Sequence, residues 1–511
     1  MSAHETLLRD FDERRERALA MGGEAKIARR REQGVLDARA RLDHLLDGDS
    51  FVEAGLFGTS IFPEDAERTP ADGKIAGYGR IAGRDVAVVS NDFTVKGASS
   101  SAVNGRKVAH MKRTATQRGL PIVFLGESSG ARMPDTMGAR GMGTMLGNDG
   151  TQYQRRRETP WASAVLGHCF GSSSWYACCA DFNVMRKGAI MAVSSPALVS
   201  QAIGQAIDPE ELGGWRLHAE TTGLVDMVVD TDEEALAAVR AFLSYLPSHH
   251  RQAPPRAEVP EGSGAGMAAI ADLLPERREQ VYDMRRIIRT IVDADSYFEL
   301  KPRFGKPITT GLARIGGRTV AIVANNPLHK GGAMDTDACD KATSLIVMAD
   351  SFNIPILMLV DTPGFVIGKD AERSRAPGKI MNFMNALSLV TVPKISIVLR
   401  KSYGQAYLNM GGGRNSDEMA VWPTAEISFM EPAFAARIVT GAAPGDPAYE
   451  EALARMRKGT SVWGIASIFA AQAVVRPDET RDWLTRMLET HELRLTGGVG
   501  EHMMRNWPTS F

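Results

Sequence analysis

The residues whose types and spacing could do chemistry sit in two matched stretches, "LPIVFLGESSGA" at 120–131 and "IPILMLVDTPGF" at 354–365. Each runs proline, an apolar stretch, an acid, two small or stiff residues and a glycine. A buried strand that ends this way leaves the glycine and its successor with backbone N–H groups pointing beyond the sheet. Glycine suits the place because it takes positive φ and lets a ligand approach without meeting a Cβ. Further on, each stretch is followed by a small-residue turn that opens a helix, "FGSSSWYACCADF" from Phe170 and "YGQAYLNMGGG" from Tyr403. The first N–H groups of a helix lack partners within it and carry the positive end of its dipole. Brought together, two such turns form an oxyanion hole, in which each well-placed donor stabilises a transition state by roughly 3–4 kcal/mol. A glycine is also the ordinary way to end a strand, so the spacing alone does not name the oxyanion.

The elements that must position these turns come from a duplication. An offset of 234 residues separates Pro121 from Pro355, Glu127 from Asp361, Gly130 from Gly364 and Lys107 from Lys341. At the same offset "GYGRIAGRDVAVV" from Gly77 lies over "GLARIGGRTVAIV" from Gly311, with eight of thirteen positions identical. A gap-free register of this kind reads as two copies of one domain. With small gaps, "DGDSFVE" echoes "DADSYFE", and "TPWASAVLGHCFGSSS" echoes "VPKISIVLRKSYGQAY". The Pro, Gly and polar stretch "LPSHHRQAPPRAEVPEGSGAG" reads as a linker and sets domains of 1–255 and 256–511. Each half alternates short β-branched runs, such as "VAVVSND" and "VAIVANN", with stretches of helical period such as "ATSLIVMADSF". Apolar runs without polar alternation suit strands covered on both faces by helices, so the fold class is α/β. The first fifty residues read as a charged N-terminal helical arm.

A chain of 511 residues with 44% apolar residues buries more than one core, and a net charge of −1 gives no reason to expect nucleic acid. The densest basic run, Arg29 to Gln33, is expected on a solvated helix face. No apolar run is long enough to cross a bilayer. The N-terminus is too charged for a secretory signal and too acidic for a transit peptide, so a cytoplasmic protein with no membrane partner is expected. Cys169, Cys178, Cys179 and Cys339 form no CxxC pair and no metal-ligand spacing, and are expected as core residues with no metal bound.

In order and spacing, "LDARARLDHLLDGDSFVEAG", "NDFTVKGASSSAVNGRK", "ESSGARM", "DPEELGGWRLHAETTGLVD", "ANNPLHKGGAMDTDACDKATSLIVMADSFNIPILMLVDTPGF", "VPKISIVLRKSYGQAY" and "RPDETRDWL" span nearly the whole chain. With them the sequence resembles the carboxyltransferase (β) subunit of biotin-dependent acyl-CoA carboxylases of the propionyl-CoA carboxylase type. The resemblance implies two tandem crotonase-like (ClpP/crotonase) domains, in a homo-hexamer built as a trimer of dimers. Its active site lies between the first domain of one subunit and the second domain of its dimer partner. It implies transfer of a carboxyl group from carboxybiotin to the α-carbon of an acyl-CoA, with biotin acting as the base. Carried over by position, the acyl-CoA-side donors are Gly130, Ala131, Gly171, Ser172 and Ser173. The biotin-side donors are Gly364, Phe365, Gly404, Gln405 and Ala406. Lys96, Gly97, Ala98, Ser99 and Arg132 would line the CoA side with Leu408 at the acyl group, and Pro363, Val366, Gly368 and Tyr403 would border biotin. A structural salt bridge is the competing role for Arg132.

Some residues depart from the family. The helix-opening turns usually read GGA, whereas this chain has Gly171-Ser172-Ser173 and Gly404-Gln405-Ala406, which places a carboxamide near the biotin side. The loop "PGFVIGKDAERSRAPGK" replaces the usual PGFLPG, and Leu408 stands where enzymes for short acyl groups carry Asp, pointing to a more apolar acyl pocket. An acceptor loop for biotin and an ATP-grasp domain are both missing. A partner α subunit with biotin carboxylase and biotin carrier functions is therefore implied. Two other readings stay open: a decarboxylase or transcarboxylase running the same chemistry in reverse, and a silent CoA-binding scaffold.

Overall fold

The computed structural model describes residues 2–145 and 153–508 and divides into two compact units, Met1–His249 and His250–Phe511. The first unit holds β1 (Val52–Ala54), β2 (Lys74–Ile81), β3 (Arg84–Asn91), β4 (Ile122–Ser128), β5 (Trp161–Phe170), β6 (Phe182–Arg186), β7 (Ile190–Ala192) and β8 (Met227–Val229). They form one sheet in the order 1-2-3-4-5-6-8, with β7 pairing the far end of β5. The second unit repeats this with β9 (Phe298–Leu300), β10 (Ile308–Ile315), β11 (Arg318–Asn325), β12 (Ile356–Thr362), β13 (Lys394–Tyr403), β14 (Glu418–Val421), β15 (Glu426–Ser428) and β16 (Ala473–Val474). Their order is 9-10-11-12-13-14-16, with β15 on β13. The arm expected at the N-terminus consists of the helices Ala3–Leu19, Glu24–Glu32 and Ala38–Leu45.

The offset of the sequence repeat survives in the pairing. Lys74↔Asn91 and Ile81↔Arg84 close the β2–β3 hairpin, and Ile308↔Asn325 and Ile315↔Arg318 close β10–β11. Both hairpins turn on two residues with positive φ, Ala82-Gly83 and Gly316-Gly317, the geometry that matches strand twist. The echo "DGDSFVE"/"DADSYFE" also acquires a physical meaning here. Asp47 accepts from the N–H groups of Ala82 (3.0 Å) and Gly83 (2.8 Å), and Asp293 from those of Gly316 (3.0 Å) and Gly317 (2.8 Å). Each aspartate satisfies the two donors that a tight hairpin turn exposes.

The central strands β4 and β12 are buried at every position, as expected for parallel strands covered on both faces. Helix Ala102–Arg118 packs on one face of the first sheet, and Thr336–Ser351 on the matching face of the second. Each helix is pinned by a lysine. The Lys107 ammonium donates to the carbonyls of Gly55, Ala71 and Lys74, and that of Lys341 to Phe304 (2.9 Å) and Ile308 (2.7 Å). Burial lowers both amines from their ordinary 10.5, Lys107 to about 8 and Lys341 to about 7.

That depression predicts a pH dependence. Between about pH 7 and 10.5 the unfolded chain holds the proton at Lys341 more often than the folded one, so the second unit gains stability as pH rises through this window. Replacing Lys341→Met should flatten the rise, removing up to about 2 kcal/mol of the difference between pH 7.5 and 9.5. Urea midpoints of the variant and the unmodified chain at the two pH values measure it.

Candidate active site

β4 ends at a register shift between Gly126 and Ser128, and β12 at the equivalent shift between Val360 and Thr362. In the first unit the following turn is tied to the 97–100 loop. Ser129 N–H donates to Gly97 O (2.8 Å), Ser100 N–H to Gly130 O (2.8 Å) and Arg132 N–H to Ser100 O (2.9 Å). Gly130 N–H is taken by its neighbour, the Ser128 hydroxyl, at 3.1 Å. In such a parallel bridge alternate amides face opposite ways, so the amides on either side of Ala131 are used. Among the described residues nothing accepts from the Ala131 N–H. Gly130 sits at φ 106, which an L side chain resists whatever the space around it.

The second donor set comes from the helix Ser172–Cys178. Its N-cap Gly171, at φ 61, donates to Val193 O (3.2 Å), and its own carbonyl accepts from Ser174 (3.0 Å) and Trp175 (3.2 Å). The N–H groups of Ser172 and Ser173 are left over, as the first turn of a helix requires. A Cβ built on Gly171 would lie 3.9 Å from Gly130 Cα, so the two turns abut. Three unclaimed N–H groups, from Ala131, Ser172 and Ser173, therefore lie on adjoining turns.

The second unit repeats the arrangement. Met334 N–H donates to Gly364 O (3.0 Å), Val366 N–H to Met334 O (2.8 Å) and Gly364 N–H to the Thr362 hydroxyl (3.2 Å), leaving Phe365 N–H over. Gly364 has φ 125, and its Cβ position falls 3.8 Å from Tyr403 O. Gly404 N–H donates to Ser428 O (3.0 Å), and Gln405 and Ala406 keep free N–H groups at the start of Ala406–Asn409. Gln405 has helical angles, φ −60 and ψ −28, so a side chain in place of the usual glycine leaves the amide in position.

The acids before the turns are fixed by arginine. Glu127, 4% exposed, accepts from Arg30 Nη1 (3.0 Å) and Nη2 (2.7 Å) and from Arg41 Nη1 (2.8 Å). Arg41 continues to Asp232 (3.0 Å). Burial alone would lower the Arg41 guanidinium, but Glu127 and Asp232 outweigh it and hold the charge in place. In the second unit Asp361 accepts from Arg400 Nε (2.9 Å) and from the Lys401 N–H (3.2 Å). These carboxylates are held as structural counter-ions. Burial pushes the Cys339 thiol up to about 12, far from a thiolate nucleophile.

Of the other expected residues, Gly97 is required by space, since a Cβ there would meet Ser129 Oγ at 2.7 Å. Lys96 pairs with Asp65 (2.8 Å). Ala98 and Ser99 are buried, and the Ser99 hydroxyl donates to Lys96 O (2.8 Å). Arg132, expected on the CoA side, makes its contacts with its own unit. It is buried, with Nη1 2.5 Å from Asp72 Oδ1 and Nε on Ser99 Oγ (3.3 Å), which is the structural role the sequence left open. Tyr403 is likewise turned inward. Its hydroxyl donates to Glu426 (2.7 Å) and accepts from Arg278 (2.7 Å), so it braces the turn from behind. Pro363, Ile367 and Gly368 are exposed, and Val366 with Phe365 lines a cavity of about 260 Å³ that also contains Lys330, Asp335 and Ser374. Leu408 is half-buried against Gly413. The arginine clamps were missed by sequence reasoning, because Arg30 and Arg41 read as part of a charged arm.

Each unit of the duplicated α/β scaffold thus presents a glycine turn and a helix start with unclaimed backbone amides, a donor arrangement suited to a developing oxyanion. Among the described residues no cluster of His, Cys, Asp and Glu suits a metal. A carboxyl transferase domain model matches residues 29–493. The carboxyltransferase subunit of propionyl-CoA carboxylase from Haloferax mediterranei is 34% identical over 84% of this chain and 84% of its own. A biotin-dependent long-chain acyl-coenzyme A carboxylase beta4 subunit from Mycobacterium tuberculosis is 33% identical over 98% of this chain and 94% of its own. The crystal structure of transcarboxylase 12S, described as a hexamer with methylmalonyl-coenzyme A bound, matches with a TM-score of 0.89 at 31% identity over 96% of both chains. The chain belongs to the carboxyl transferase family and is a carboxyltransferase with the family's two crotonase-like domains.

Proline is tolerated at the first position of a helix, where its missing N–H has no intrahelical role. Ser172→Pro should therefore delete one donor and leave the fold intact. The expected loss in kcat is about 100-fold, measured by steady-state turnover, with an unchanged far-ultraviolet circular dichroism spectrum.

Proposed function

We propose that the chain is the carboxyltransferase subunit of an acyl-CoA carboxylase, moving a carboxyl group from carboxybiotin on a carrier protein to the α-carbon of an acyl-CoA. The observation that carries this reading is the duplication of the donors: each unit leaves one strand-end amide and two helix-start amides unclaimed. A reaction that generates two oxyanions in turn, one on each partner, needs two such holes. In the first unit Ala131, Ser172 and Ser173 would hold the thioester oxygen as the α-proton leaves and negative charge builds on it. In the second, Phe365, Gln405 and Ala406 would hold the ureido oxygen. Biotin, when bound, supplies the carboxyl group and the base for the α-proton. The second unit fits this group: its donors are uncharged amides, and the adjoining cavity mixes apolar Phe365 and Val366 with polar Ser374. The exposed Gln405 carboxamide stands at the same turn, placed to donate a further hydrogen bond.

The unaltered geometry at Ser172, Ser173 and Gln405 argues against a silent scaffold, since the substitutions leave every donor amide in place. The same holes serve the reverse direction, and the likeness to a transcarboxylase favours a carboxylated thioester among the ligands. The working assembly is proposed as a homo-hexamer with a biotin carboxylase and carrier subunit as partner. In it the first unit of one subunit acts with the second unit of another. The proposed location is the cytoplasm; among the described residues no helix is long and apolar enough to cross a membrane.

Solvent deuterium exchange at the α-carbon of a panel of acyl-CoAs, with and without free biotin, tests the reading. Exchange that requires biotin is expected, strongest with acyl groups more apolar than acetyl. Exchange that proceeds without biotin would remove it as the base, and a complete lack of exchange with every thioester would overturn the enzymatic reading.

A further inference from the structure

The two turns that meet in the first unit are also joined by side chains. The Ser100 and Ser172 hydroxyl oxygens lie 2.6 Å apart, a hydrogen bond between the residue bridged to Ala131 and the first residue of the helix Ser172–Cys178. Behind it, Asn91 Nδ2 donates to the Ser173 hydroxyl at 3.4 Å, and Asn91 Oδ1 accepts from the buried Lys74 ammonium at 3.2 Å. The second unit builds the same place without hydroxyls. There Met334 is bridged to Phe365 as Ser100 is to Ala131, and Gln405 and Ala406 stand where the first unit has Ser172 and Ser173. Met334 is fully buried, and Nδ2 of Asn325, the counterpart of Asn91, has no partner among the described residues. The paired hydroxyls are a property of one half of the duplicated fold.

Counting protons shows what the pair can still do. A serine hydroxyl carries one proton and can both donate and accept. The pair spends one proton between its two oxygens, and neither oxygen has a further partner among the described residues. One O–H is therefore left to donate. Ser100 is 9% exposed whereas Ser172 is half-buried, so the spare proton is on Ser172, with Ser100 donating to it from behind. The thioester oxygen has no need of this donor: a carbonyl oxygen has two lone pairs, and the amides of Ala131, Ser172 and Ser173 are already unclaimed on these turns. Carboxyl transfer puts a second anion on the acyl group, a carboxylate in place of a proton on the α-carbon. Its two oxygens offer about four acceptor positions, and a hydroxyl donating to a carboxylate makes a short, charge-assisted bond.

Resting on the reading of the first unit as the acyl-CoA side, we infer that the Ser172 hydroxyl, backed by Ser100, donates a hydrogen bond to the carboxylate that the acyl group gains or gives up. Ser172 then serves the site twice, its amide on the thioester oxygen and its side chain on the carboxyl group. The two acceptors are joined through a single α-carbon, and the two donors belong to a single residue. Ser100 is a positioning residue, which orients the Ser172 hydroxyl and touches no substrate. The consequence is selectivity: the first unit holds a carboxylated thioester more tightly than the same thioester without its carboxylate.

Propionyl-CoA and methylmalonyl-CoA differ by that carboxylate alone. Calorimetric titration of the full chain with each, without biotin so that no carboxyl group moves, tests the assignment. Ser172→Ala removes the hydroxyl and keeps the amide. The ratio of methylmalonyl-CoA affinity to propionyl-CoA affinity is expected to fall about 10-fold or more. Ser100→Ala should lower the same ratio by a smaller factor, and should add nothing to the loss when combined with Ser172→Ala, because both act through one hydroxyl. An unchanged ratio, equal losses for the two thioesters, or additive losses in the double variant would overturn the assignment while leaving the proposed function standing. If the unmodified chain bound neither thioester, the proposed function would fail as well.

Discussion

Much of this structure depends on how an acid at the end of a buried strand is neutralised. Glu127 and Asp361 occupy the last fully covered turn of β4 and β12, where an unpaired carboxylate is expensive to keep. Asp361 is short and is met from the adjacent strand by Arg400. Glu127 is longer, faces glycine at 167, and is met by Arg30 and Arg41 from the arm. The arm is therefore joined to the sheet by charge. Arg41 also reaches Asp232, and Arg186 completes a chain of alternating charges across the first unit. Losing one member would leave its neighbours buried and uncompensated, a change that typically costs about 3–5 kcal/mol.

Fixing the strand end fixes the donors that follow it. Once Ser128 or Thr362 braces the glycine amide, and the Ser100 or Met334 carbonyl takes the amide two residues further on, only the N–H of Ala131 or Phe365 remains over. It is selected by exclusion. The helix-start amides are left over for a different reason, the i to i−4 pattern of the helix itself. Their adjacency follows from β4 and β5, or β12 and β13, being hydrogen-bonded neighbours whose ends emerge side by side.

The parts of this that could be read in the chain were those with a fixed spacing. The 234-residue offset, the apolar strands and the two glycine turns all leave a periodic or local mark, and the paired hairpins reproduce the repeat residue for residue. What stayed hidden was the partner of each charge. Nothing in a charged arm announces that Arg30 and Arg41 turn inward to an acid 97 and 86 residues away. Arg132 illustrates the same difficulty: beside a glycine turn it reads equally as a ligand contact or a brace, and the deciding residue, Asp72, lies 60 positions earlier. Tyr403 precedes the second glycine turn in the sequence, but the direction of its side chain is set by Glu426 and Arg278, which no local pattern links to it.

Donors made of main chain have a consequence for what mutation can reach. The amides of Ser172, Ser173, Gln405 and Ala406 belong to the helix start and not to any side chain, so nearly every codon change at these positions keeps the hydrogen that would do the chemistry. Drift is free to alter the rim of the site, as a carboxamide at Gln405 does, while the donor amides stay out of its reach. A fold of this kind can diversify its substrates by single steps and lose its chemistry only by proline or by collapse of the turn.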